Sequence, residues 1–328
     1  LHTNGSVDTV FLTGASGFVG AHVLRELLGA GYHVRALSRT QKLRHTQVQI
    51  VQGDLTNVGA FARALDGCRY VVHCAALYSF APADRALTHK VNVIGTAGLV
   101  EAARVARVER VVLTSSSATL GPCSGDRPRN ENDWATEGRA SGYHHSKLEQ
   151  ERAAFAGRVP VVALLPTAPV GPGDWKPTPT GQMIVEFARG KMVVKPPRGG
   201  LNVVPVEDVA RAHVAALKHG RAGERYILGG ENLMLDDVWK LLAEITGKPM
   251  PRYRIPFGVA LAAAYVDEAR CRVRKSAQPA VPLEGVRLSR ERMFADNSKA
   301  ARELGFAPGS ARDAFSRAVQ WYRDHNYA

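Results

Sequence analysis

Residues 10–30 constrain the fold of this 328-residue chain more than any other stretch. Val10-Phe11-Leu12-Thr13 is a short β-branched and apolar run that breaks into Gly14-Ala15-Ser16-Gly17-Phe18-Val19-Gly20. The residues that follow place Val23, Leu24, Leu27 and Leu28 at helical spacing. Strand, glycine turn and helix, in that order, is the context in which three glycines so spaced bind a dinucleotide. Gly14 permits the tight turn, Gly17 lets the backbone approach a pyrophosphate, and Gly20 lets the helix pack close to the strand. The helix N-terminus then offers free N–H groups and a partial positive charge to the phosphates. Ser16, Phe18 and Val19 lie in the same turn and join the glycines as expected cofactor contacts.

The first half continues as strands alternating with helices, the pattern of a parallel sheet. Residues 32–37 read as the second strand, ending at Ser38-Arg39. An acidic residue here would bind the ribose 2′-hydroxyl of NAD. A hydroxyl and a guanidinium suit a 2′-phosphate instead, so NADP(H) is expected in preference to NAD(H). Residues 48–51 form a third strand running into Gly53-Asp54-Leu55, where Asp54 is placed to accept from the adenine amino group. A helix is expected over 60–65 and a fourth strand from Tyr70. The small residues at that strand's end, Cys74, Ala75 and Ala76, let a flat cofactor lie close outside the carboxyl ends of the strands. His73 reads as a packed strand residue. A helix over 90–106 contains Asn92, and a fifth strand over 110–114 ends at Thr114 before Ser115-Ser116-Ser117-Ala118-Thr119-Leu120-Gly121.

Tyr143-His144-His145-Ser146-Lys147 carries the chemistry. Residues four apart share a helix face, so the phenol and the ammonium project into one space. Bringing a phenol from about 10 to about 7 takes about 4 kcal/mol of differential stabilisation, within reach of an ammonium and a cofactor's positive charge in a dry cleft. A tyrosine so placed takes a proton from an alcohol or gives one to a carbonyl. A serine at the end of the fifth strand, facing Tyr143, would hold the substrate oxygen in line.

Composition excludes more than it selects. Hydrophobic residues make up 45% and charged residues 22%, ordinary for a globular protein. No apolar run approaches the length of a membrane span. Residues 1–6 show no charged-then-apolar secretory pattern, and the four cysteines show neither metal-ligand spacing nor a disulfide framework, so a reducing cytoplasm is expected. The balance of 43 basic to 30 acidic residues gives +13, but the basic residues are scattered and no nucleic-acid-binding signature accompanies them. A small anionic ligand is expected, and no nucleic acid.

Taken together, Gly14-x-x-Gly17-x-x-Gly20, Gly53-Asp54-Leu55, the Ser115-Ser116-Ser117 strand end and Tyr143-x-x-x-Lys147 resemble the short-chain dehydrogenase/reductases in their extended form. The resemblance implies an α/β fold: a Rossmann-type doubly wound parallel sheet with a smaller, discontinuous C-terminal substrate domain. Residues 8–170, rejoined by 201–228, would bind the dinucleotide, and 171–200 with 229–328 would mainly bind substrate. It also implies Tyr143 as acid/base, Lys147 on the nicotinamide ribose lowering the phenol's pKa, a substrate-orienting serine, and Asn92 supporting the lysine through water. Counting back from Gly121 as in the 3β-hydroxysteroid dehydrogenases selects Ser116, the favoured choice; aligning with UDP-galactose 4-epimerase selects Ser117. The loop from Pro166 would pass over the nicotinamide, making Pro166, Thr167 and Val170 cofactor contacts, and a homodimer through helices including the one carrying Tyr143 is implied.

Residues 223–232, with 177–181 and 190–192, are similar to the hopanoid-associated sugar epimerases, a group that itself resembles dihydroflavonol 4-reductases. Lys195-Pro196-Pro197-Arg198 departs from that pattern, as do His144 and His145. Asp208 reads as a cap or dipole partner. The apolar run over 255–266 before Arg270-Cys271-Arg272-Val273-Arg274-Lys275 could rest on an anionic membrane surface, but the plainer reading is a helix over the pocket mouth. The expected activity is NADP(H)-dependent hydride transfer on a small-molecule ketone, aldehyde or secondary alcohol. The rivals are a sugar or nucleotide-sugar epimerase with tightly held NAD, and a non-catalytic dinucleotide-binding protein.

Overall fold

The protein is represented by a computed structural model that describes residues 7–40, 46–79, 82–121, 123, 127–135, 142–192, 194–195, 199–274 and 283–328. The residues 1–6, 196–198 and Lys275 discussed above lie outside the described residues. The strands are β1 (Thr9–Thr13), β2 (His33–Ser38), β3 (Val48–Gln52), β4 (Tyr70–His73), β5 (Arg110–Thr114), β6 (Val161–Pro166), β7 (Ala168–Val170), β8 (Val194–Lys195), β9 (Gly200–Pro205), β10 (Arg225–Leu228), β11 (Glu231–Met234), β12 (Tyr253–Arg254) and β13 (Arg292–Met293). The helices are α1 (Phe18–Gly29), α2 (Arg85–His89), α3 (Gly95–Val105), α4 (Gly142–Phe155), α5 (Pro179–Ala188), α6 (Val206–His219), α7 (Leu235–Thr246), α8 (Phe257–Arg274), α9 (Leu283–Leu288), α10 (Ser298–Leu304) and α11 (Ala311–Asp324).

Seven strands pair in the order β10-β6-β5-β4-β1-β2-β3, every pair parallel. This is the Rossmann order, with one further strand at the β6 edge. Alternation along the strands feeds two cores, as the two-residue strand period requires. Val10, Leu12, Val72 and Val112 join α1 and α6 on one face. Phe11, Val71, Val111 and Leu113 join α3 and the end of α4 on the other. A third core, built on Val170, Phe187, Val203, Trp239, Phe315 and Tyr322, lies under α5, α7 and α11.

The segment 201–228 divides between two sheets. Strand β9 pairs with β7, β11 and β13 in a separate small sheet, whereas α6 packs in the first core and β10 completes the large sheet. Over 60–65 the chain makes a short 3-10 turn, preceded by another at Leu55–Ala60, and no α-helix. The helix expected over 90–106 begins as a π-helical turn at Lys90–Ile94 and becomes α-helical only at Gly95. Helix α5 starts at Pro179, where the Thr178 side chain accepts from the Gly181 N–H and proline suits the first helical position. Asp208 lies in the first turn of α6, where its charge suits the helix dipole, but it does not cap the helix: its side chain bonds the Gly309 N–H and pairs with Arg211.

Candidate active site

The glycine turn leaves β1 at the carboxyl end of the sheet. Gly14 has φ of +77°, and a Cβ there would lie 2.6 Å from the Ala75 nitrogen and 2.8 Å from the Cys74 carbonyl carbon. A Cβ on Gly20 would stand 2.0 Å from the Gly14 oxygen. Backbone therefore approaches backbone too closely for any side chain, the cradle a pyrophosphate-binding turn requires. Gly17 caps α1 without a side-chain hydrogen bond, Ser16 is exposed, and Phe18 and Val19 are half-buried. The close backbone approach and the open helix N-terminus fit the pyrophosphate of a dinucleotide.

At the end of β2, Arg39 is exposed. Ser38 is buried and its hydroxyl donates to the Thr40 carbonyl at 2.5 Å, so that donor is already used. Asp54 accepts the Thr56 N–H at 2.7 Å and caps the 3-10 turn that starts at the buried Leu55. That backbone bond holds its carboxyl below the usual range, aided by the charge of Arg39. Cys74 and Ala75 are half-buried at the end of β4, and Ala76 is exposed.

Helix α4 and the end of β5 bring the reacting groups together. The Ser116 side chain hydrogen-bonds Tyr143. Burial pushes the Tyr143 phenol up to about 12, while Ser116 pulls it down. Lys147, one helical turn on, has its ammonium held in place by two acceptors. Lys147 donates to the Thr114 carbonyl at 2.8 Å and to Gln150 Oε1 at 2.5 Å, and burial lowers its own pKa to about 8 against the pull of Glu151 and Cys74. The Thr114 hydroxyl bonds His213 at 2.8 Å and Cys74 at 3.1 Å. Ser117 is buried in the 3-10 turn that Ser116 caps through the Ala118 N–H.

Asn92, fully buried in the π turn, accepts the Leu77 N–H at 2.7 Å and donates to the Leu77 carbonyl at 3.0 Å and to Ser146 at 3.2 Å. It braces the segment before α2 against α4, with both its amide protons occupied. Pro166 is buried at the end of β6, and Thr167 donates to Asn202 at 2.7 Å. Val170 is 2% exposed and its side chain belongs to the third core, because β7 pairs with β9 there.

Sequence reasoning missed the groups behind Lys147. Gln150 Nε2 donates to Thr96 Oγ1 at 3.0 Å, Thr96 lies 2.9 Å from His73 Nε2, and His73 Nδ1 lies 2.6 Å from Thr13 Oγ1. The i, i+3 spacing of Lys147 and Gln150 was the only available signal. His73 is packed, as expected, and burial holds it neutral with its pKa lowered to about 3.

With this geometry in place, comparison with known proteins gives the family. The NAD dependent epimerase/dehydratase family matches residues 10–229. The chain belongs to that family. It is an extended short-chain dehydrogenase/reductase and, like its relatives named reductases and dehydrogenases, an NAD(P)-dependent oxidoreductase. A Synechocystis sp. (strain ATCC 27184 / PCC 6803 / Kazusa) protein provisionally named dihydroflavonol 4-reductase is 38% identical over 99% of this chain and 98% of its own length. The crystal structure of gox2253 is 38% identical with a TM-score of 0.85, covering 98% of this chain and 99% of the other. A nucleoside-diphosphate-sugar epimerase from Pseudomonas aeruginosa is 26% identical with a TM-score of 0.78, covering 98% and 99%. No helix among the described residues is long and apolar enough to cross a membrane.

Proposed function

We propose that this family member is an NADP(H)-dependent reductase or dehydrogenase acting on a ketone, aldehyde or secondary alcohol, with Tyr143 as acid/base. The observation that carries the reading is the hydrogen bond between Ser116 and the half-buried Tyr143, one helical turn from a buried Lys147. Ser116 donates to the substrate oxygen and fixes it beside the phenol. In reduction Tyr143 passes its proton to the developing alkoxide, and in oxidation the phenolate takes it back. The bound nicotinamide supplies or accepts the hydride at C4 and, when oxidised, brings positive charge to the cleft. The ammonium of Lys147, held in a dry site, restrains the phenolate charge more strongly than it could in water. Arg39, exposed where a ribose-binding carboxylate would otherwise stand, supports the 2′-phosphate and hence NADP(H). As in related enzymes, two copies pair through helices that include α4.

The second reading, a sugar epimerase that retains NAD, is favoured by the whole-chain similarity to the Pseudomonas aeruginosa epimerase. Denaturing the purified protein and analysing the released nucleotide separates the two. Protein that releases little nucleotide and binds NADPH more tightly than NADH is the expected result. Stoichiometric NAD with weak NADPH binding overturns the reductase reading in favour of the epimerase.

A further inference from the structure

An ammonium has three donors, and two of those on Lys147 are committed, to the Thr114 carbonyl and to Gln150 Oε1. The first acceptor is backbone, fixed by β5. The second is a side chain that must itself be held. Gln150 is fully buried, and its amide cannot turn over without facing its Nε2 donors toward Lys147. What fixes it is Thr96 on α3, which accepts from Nε2 and contacts His73; His73 contacts Thr13, and Thr13 Oγ1 accepts the Ala75 N–H at 3.2 Å. Either neutral tautomer of His73 closes this chain. It runs from α4 through α3 and β4 to the residue before Gly14.

We propose that Gln150 is the residue that positions the Lys147 ammonium, and that Thr96, His73 and Thr13 tie that position to the glycine-turn end of the cofactor cleft. This rests on the reading of Tyr143 as the acid/base. The titratable groups around Lys147 are Glu151, Cys74 and His73, with Tyr143 one turn earlier on α4. Removing the Gln150 acceptor frees the ammonium from its fixed place, so it stabilises the Tyr143 phenolate less.

The test is an ultraviolet titration of tyrosinate in protein saturated with NADP+. The chain has 9 tyrosines, so the difference between each protein and its Tyr143→Phe counterpart isolates one phenol. Gln150→Leu is expected to raise the Tyr143 midpoint by about one pH unit. Thr96→Val gives a smaller shift in the same direction, and Thr96→Ser restores the original midpoint. Should Gln150→Leu not fold, the Thr96 pair decides. An unchanged midpoint in the folded Gln150→Leu and Thr96→Val proteins overturns the positioning role and leaves the acid/base reading standing. If Tyr143→Phe removes no titration below that of an ordinary phenol, the acid/base reading itself falls, and the positioning role with it.

Discussion

The neighbouring serines at the end of β5 have unlike surroundings. Ser116 is half-buried and bonds the phenol of Tyr143, whereas Ser117 is buried in a 3-10 turn, with its carbonyl accepting from Arg129 at 3.4 Å. Under the proposed chemistry only Ser116 reaches the substrate oxygen. Ser116→Ala is therefore expected to lower kcat for carbonyl reduction by about a hundredfold or more, the usual loss for one donor at a developing oxyanion. The same change removes the one hydrogen bond that lowers the phenol's pKa, so the Tyr143 midpoint rises as well. Ser117→Ala leaves the backbone bond in place and should stay within about threefold of the parent. Steady-state rates of the two variants decide the matter, and a larger loss for Ser117→Ala would reverse the assignment.

Helix α4 is held by more than its apolar face. Its fully buried Glu151 pairs with Arg225 on β10 at 2.5 Å and accepts the Ser115 hydroxyl. Arg225 reaches Thr119 at 2.7 Å and the Glu131 carbonyl at 2.7 Å, and lies over the Trp134 ring at 3.6 Å. One ion pair thus joins the helix carrying Lys147 to the edge strand and to the segment after the serines. Removing one partner leaves a buried charge, so Glu151→Ala is expected to cost about 3–5 kcal/mol, while the double replacement Glu151→Leu with Arg225→Met costs far less. Denaturant midpoints of the singles and the double measure this; a single variant within about 1 kcal/mol of the parent would remove the pair from the account. None of it was legible in the sequence, because Glu151 and Arg225 lie 74 residues apart and each reads alone as an ordinary charged residue. Strands β1 to β6 were legible because local apolar runs and turn residues report them directly. The place of β9 was not: Val203 and Val204 carry a strand signal that does not say which sheet they join. The π turn at Asn92, which carries the residue that bonds Leu77 and Ser146, likewise leaves no mark in the apolar spacing.

For the whole molecule, the proposed cofactor cleft runs along the carboxyl ends of the parallel strands, from the glycine turn after β1 to Arg39 after β2 and Tyr143 on α4. A dinucleotide that spans these points binds the folded chain and not the unfolded one. At about a hundred times its Kd such a ligand adds about 2.7 kcal/mol of stability. Unfolding 328 residues releases about 0.7 kcal/mol per kelvin of entropy, so Tm should rise by about 4 °C. The shift becomes a measure of 2′-phosphate recognition when NADPH and NADH are compared at equal concentration. Arg39 is exposed and Ser38 has already spent its donor on Thr40, so under the proposed reading a 2′-phosphate would be held chiefly by the guanidinium. NADPH is expected to give the larger shift in the parent protein, and Arg39→Ala to bring it down to that of NADH while leaving the NADH shift unchanged. Nearby Asp54, a carboxylate whose side chain caps the turn through Thr56, opposes a phosphate electrostatically, so the Arg39 charge must outweigh it. Equal shifts for the two nucleotides, insensitive to Arg39→Ala, would mean that it does not, and would move the protein toward the epimerase that retains NAD.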